Sequence, residues 1–105
     1  MKVWIVTDNL FWSARLLRSV RGLGHEAVDA GGGAVQGSPG DWVLLDLSSP
    51  ITSDQVADWK AAGATVVGFA GHKEQDKLMA GRAMGCDQVV SNSTVTNLLG
   101  QVLKT

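Results

Sequence analysis

The chain has 105 residues, 45% of them hydrophobic, with nine Lys and Arg against ten Asp and Glu and a formal net charge of −1. That length suits one domain with one core. The near-neutral balance excludes the basic field that grips a nucleic-acid backbone, and the single cysteine, Cys86, excludes an internal disulfide.

The start, Met1 to Asp8, is broken by charge too soon for a signal peptide. No apolar run is long enough to span a membrane. The expectation is a single cytoplasmic domain over residues 1–105, with no nucleic-acid or membrane partner.

Val3-Trp4-Ile5-Val6 is continuously apolar, as a strand buried on both faces of a parallel sheet should be. Asp8 or Asn9 can cap a helix over about Leu10–Leu23. Its expected inner stripe is Ala14 and Leu17, with Val20 and Phe11 added. Arg15, Arg18 and Arg21 face out, and Gly24 is the stop. His25 to Ala30 reads as a half-polar edge strand. Gly31 to Gly40 carries five glycines and a proline, so loop is expected, with at most a helical turn at Ala34–Gln36. A face of the sheet left thinly covered there would expose apolar surface to a partner.

Trp42 to Leu45 is a second buried strand, ending at Asp46. Thr52 or Ser53 starts a helix to about Ala62, and Thr52 with Gln55 fits a capping box. Thr65 to Phe69 is a third buried strand. A helix over about Lys73–Met84 stops at Gly85. Gln88 to Ser91 is a last short strand, and Ser93 caps a final helix with Val95, Leu98, Leu99 and Val102 inside. Alternating strands and helices predict an α/β, flavodoxin-like, doubly wound sheet. Five parallel strands in the order 2-1-3-4-5 are expected, with the second helix shortened or absent.

In such a sheet, sites lie beyond the carboxyl ends of the strands, where the strand order reverses. Thr7 and Asp8, Asp46, Ala70 to His72, and Ser91-Asn92 are placed there. Two carboxylates in one crevice need a proton or a cation to offset their repulsion, and hard oxygen ligands suit magnesium.

Val3–Asp8, Leu23-Gly24-His25-Glu26, Val43–Pro50 and Ala80–Asp87, in this order and spacing, resemble the receiver domains of two-component response regulators. Asp46 followed by Pro50 matches the family's aspartate with proline four residues on. The resemblance implies Asp46 as phosphoacceptor, with Asp8, Asp46 and the Ser48 carbonyl as magnesium ligands. It also implies losses. Thr7 stands where a second acid is usual, and Ala70 stands where a Ser or Thr binds the phosphoryl group. Asn92 replaces a lysine, Ser93 a proline, and Val89 the aromatic switch residue. His72 or Lys73 could stand in for that lysine. A partner such as a histidine kinase or a downstream signalling protein is implied, as is a homodimer through the surface around Lys73–Met84 and Ser93–Leu103.

Each residue also has a plainer reading. Asp8 could be only a helix cap. Trp4, Trp42 and Phe69 are expected in the core, Trp59 against the sheet, and Cys86 as inert core. Trp12 is placed on the side of the helix away from Leu17, near the site end; exposed there, it would be a candidate for protein contact. The glycine run opens no helix after strand one, so it is no dinucleotide fingerprint. His25 and His72 lack metal-ligand spacing. The first expectation is a degenerate receiver, not an enzyme, acting through protein contacts. The second is a magnesium-dependent receiver phosphorylated on Asp46. The third is a small-ligand or nucleotide-binding flavodoxin-like domain.

Overall fold

Strands β1 (Lys2–Val6), β3 (Trp42–Asp46) and β4 (Thr65–Ala70) form the buried centre of the sheet, as their unbroken apolar runs require. The structure, a computed structural model, describes residues 1–95. With β2 (Glu26–Asp29) and β5 (Gln88–Ser91) at the edges, the five strands lie in the order β2-β1-β3-β4-β5, every pair parallel. The predicted fold class and strand order are the observed ones.

Side chains alternate between the two faces of the sheet. Val3, Ile5, Leu44, Val67 and Phe69 pack on one face with Leu16 and Val20 of α1 (Leu10–Gly22) and with Val95. Trp4, Val6, Val43, Leu45 and Val66 pack on the other with Val56 and Trp59 of α2 (Ser53–Ala61). Helix α3 (Gln75–Ala83) buries only Leu78 and Gly81. No helix among the described residues is long and apolar enough to cross a membrane.

Caps and stops follow local chemistry. Asn9, not Asp8, caps α1, its side chain accepting from the Phe11 and Trp12 amides. The Thr52–Gln55 capping box forms as expected. Gly24 and Gly85 follow α1 and α3 at φ of 87° and 98°, a left-handed conformation that other residues avoid.

The structure corrects several expectations. The buried stripe of α1 is Ser13, Leu16 and Val20; Ala14 is exposed and Phe11 is 65% exposed. Trp12 packs its ring on Phe69, with centroids 5.3 Å apart, so the exposed apolar residues at this helix start are Leu10 and Phe11. Trp42 and Cys86 are only partly buried. Burial pushes the Cys86 thiol pKa up, and the neighbouring Asp87 carboxylate adds to the rise.

Residues 31–40 contain no helix. Val35 nonetheless packs on the second cluster, and Gly33 lies against Gln55, Ile51 and Trp59. This segment covers the face that was expected to be thin. Helix α3 starts at Gln75 rather than near Lys73, because Glu74 bonds back to Gly71 and holds residues 71–74 as a turn. The helical backbone after β5 begins at Asn92, one residue before the expected cap, Ser93. The expected inner residues Leu98, Leu99 and Val102 lie outside the described residues.

Candidate functional site

Parallel pairing sets Val6 beside Leu45, so the next residues, Thr7 just past β1 and Asp46 at the end of β3, stand side by side. Both are buried, at 3% and 5% exposure. The Thr7 hydroxyl donates to Asp46 Oδ2 at 2.7 Å, and the Ser48 amide donates to Oδ1 at 2.9 Å. A buried carboxylate without donors costs several kcal/mol, and such charge-assisted bonds offset much of that. The Ser49 amide closes the turn on the Asp46 carbonyl at 2.9 Å. Thr7 Oγ1 also accepts from the Asn9 amide at 3.1 Å, so its hydroxyl is held from both sides.

Asp8 is exposed, and its contact is with Ser49. Its amide donates to Ser49 Oγ at 3.2 Å, and Ser49 Oγ lies 3.4 Å from its carboxylate. Asp8 and Asp46 therefore lean on the same turn through different partners. Ala70, 2% exposed, ends β4 beside Ser91, and Asn92 follows directly. Val89 pairs with Gly68 inside the sheet and is half-buried. Ser91 Oγ shares hydrogen bonds with Ser93 and Thr94 at 3.1 and 2.8 Å.

The cation at this turn is one the sequence reasoning missed. His72 and Lys73 are exposed. Lys77, in the first turn of α3, donates to Ser48 Oγ at 2.8 Å. The same ammonium pairs with Glu74, whose Oε1 accepts from the Gly71 amide at 2.9 Å. The only local signal was the Glu74–Lys77 spacing of three residues; nothing in it points to Ser48.

The Lys77 hydrogen bond, then the Gly71 amide, hold the Glu74 carboxyl below its ordinary value of 4.5. A carboxyl lowered by folding stabilises above its unfolded pKa, and that contribution is lost as pH falls through the folded value. Lys77→Met should therefore raise the Glu74 midpoint toward 4.5 in a carboxyl NMR titration. An unmoved midpoint would show that the ammonium has no hold on Glu74.

Magnesium asks for near-octahedral oxygen ligands. Among the described residues there is no group of three His, Cys, Asp or Glu side chains that could hold a metal ion. Both Asp46 oxygens already accept protein hydrogen bonds, and Thr7 contributes a neutral hydroxyl. With Thr7 in place of an acid, Asp8 and Asp46 are the two carboxylates left at this end of the sheet to face a cation.

Solved structures resemble this chain along nearly all of its length. A putative response regulator from Chloroflexus aurantiacus J-10-fl aligns with a TM-score of 0.74, covering 98% of this chain and 93% of that one at 15% identity. The chain has the receiver fold. The receiver domain of sensor histidine kinase PA1611 from Pseudomonas aeruginosa PAO1, with magnesium in its active-site cleft, gives 0.73 over 98% and 93% at 12% identity. The receiver domain of the Saccharomyces cerevisiae response regulator Ssk1, crystallised with the histidine phosphotransfer protein Ypd1, gives 0.73 over 97% and 85% at 17% identity. No protein-family profile and no curated protein sequence matches the chain. The likeness is one of shape; Thr7, Asp46 and Asn92 lie at the carboxyl ends of β1, β3 and β5.

Proposed function

We infer that the chain is a cytoplasmic, non-enzymatic signalling module of receiver type that acts through protein contacts, with Asp46 locked in its turn rather than serving as a phosphoryl acceptor. The observation that carries this reading is the 2.7 Å bond from the buried Thr7 hydroxyl to Asp46 Oδ2. It places a neutral donor where magnesium-dependent chemistry needs a second acid. Ala70 and Asn92 add to it, because neither side chain can carry a positive charge to a phosphoryl group, and Ala70 has no hydroxyl.

A protein partner of the histidine phosphotransfer kind is supported by the Ssk1 receiver, which was crystallised on one. The surface we assign to that contact is the start of α1. Leu10 and Phe11 are 84% and 65% exposed, follow Asp8 in sequence, and are flanked by Arg15 and Arg18. Exposed apolar residues grouped beside a site mark contact surfaces more often than scattered ones do.

The test is intact-mass measurement after incubation with magnesium and a small phosphodonor, beside an ordinary receiver. The expected result is a phosphoryl adduct on the ordinary receiver and none here. An adduct that disappears in Asp46→Asn would overturn the reading and restore Asp46 as a phosphoacceptor.

A further inference from the structure

Helix α3 is lightly anchored to the sheet. Of its nine residues, only Leu78 and Gly81 are buried. Elements with few apolar anchors open most readily, so polar contacts weigh more here than elsewhere. The N-terminal turn of α3 has one such set. Lys77 reaches Ser48 Oγ at 2.8 Å and pairs with Glu74, and Glu74 holds the Gly71 amide at the end of β4.

Ser48 is the shared member. Its amide donates to Asp46 Oδ1, and its hydroxyl accepts from Lys77. One residue therefore touches both the buried carboxylate and the helix. Among the described residues no other side-chain hydrogen bond joins α3 to the turn after β3. Ala70 lacks the hydroxyl and Val89 the phenol or ring that could link Asp46 to this side of the sheet.

We propose that Lys77 is a positioning residue that ties the first turn of α3 to the locked Asp46 carboxylate through Ser48, so that removing either the carboxylate or the ammonium loosens that turn. This rests on the reading above of Asp46 as a locked, non-accepting carboxylate in a signalling module. The outward side of α3, where Met79 is 63% exposed, then becomes the surface whose order reports on Asp46.

Amide hydrogen exchange at Leu78 and Met79 tests this, corrected for intrinsic rates. The Leu78 amide bonds the Glu74 carbonyl at 3.1 Å, in the turn that Lys77 fastens. Lys77→Gln and Ser48→Ala should each speed exchange about threefold, the scale of one half-exposed polar contact. The double variant should be no faster than either single one, and Lys77→Arg should stay near the parent. Asp46→Asn should speed exchange about twofold with Lys77 present and not at all in the Lys77→Gln background. Amides of β1 and β3 in the same spectra report that the fold is intact. Unchanged α3 rates in the single variants, or an Asp46→Asn effect that survives Lys77→Gln, would overturn the coupling. Phosphoryl labelling is read separately by mass, so either conclusion can fail alone.

Discussion

Phe69→Ala should lower stability by about 3–5 kcal/mol, the cost of emptying a fully buried aromatic site. Phe69 has no exposed surface, and its neighbours are Val67, Leu44 and the Trp12 ring. A domain of this size is stable by only about 5–15 kcal/mol, so the loss is a large fraction of the whole. Phe69 is also the register partner of Asp46 across β3 and β4. Collapse around the cavity would thus loosen the strand end that presents the carboxylate. Urea unfolding followed by tryptophan fluorescence measures the shift, with Trp12 among the reporters beside Phe69. Phe69→Leu, which keeps most of the volume, should cost under about 1.5 kcal/mol. Equal midpoints for Phe69→Ala and the parent would mean that this ring does not hold the core.

Thr7→Asp should cost about 2–4 kcal/mol at neutral pH in chelator. It removes a hydrogen bond to a charged, buried acceptor, about 1.5–3 kcal/mol, and sets a second carboxylate beside Asp46. The same substitution completes an acidic oxygen cluster with Asp8, so added magnesium should restore stability. Binding recovers about 2.7 kcal/mol when the free ion is at a hundred times its Kd. The parent protein should show little magnesium dependence, since its Thr7 hydroxyl occupies Asp46 Oδ2. Thermal melts of both proteins in chelator and in magnesium compare the two. Thr7→Val separates the causes: it removes the donor without adding charge, so it should be destabilised in both conditions. A Thr7→Asp protein as stable as the parent in chelator would show that the Thr7 bond does not hold the pocket.

The strands were legible because burial on both faces leaves a continuous apolar run, and β1, β3 and β4 each carry one. The inner face of α1 was legible only in part: Val20 is buried and Leu17 packs against the core as expected, but Ala14 and Phe11 do not, and Ser13 shows why. It is buried although polar, because its hydroxyl donates to Asp29 Oδ2 on β2 at 3.0 Å. A serine satisfied from another element breaks the apolar stripe, and the apparent phase slips by one residue onto Ala14. Trp12 was misplaced by the same slip.

At the site, Thr7 and Asp46 were legible because each sits at the end of a recognisable strand, and adjacent parallel strands bring such ends together. Lys77 was not, because a flexible side chain crossing from one element to the loop of another leaves no periodic trace. Lys73 was the nearer choice along the chain, yet the turn at residues 71–74 delays the helix and leaves Lys77 facing Ser48.

The segment at residues 31–40 joins an edge strand to a central one without a helix to set its length. A flexible connection becomes costlier only logarithmically as it grows, about 0.6 kcal/mol for each doubling. Gly33, Val35 and Gly37 pack against α2 and the residues around it, while Ser38, Pro39 and Gly40 lie exposed. Extra residues inserted there would break no strand pair, provided the turn from Ser38 to Asp41 is kept. This stretch is the place where the fold can carry a tag, a probe or a second domain at little entropic expense.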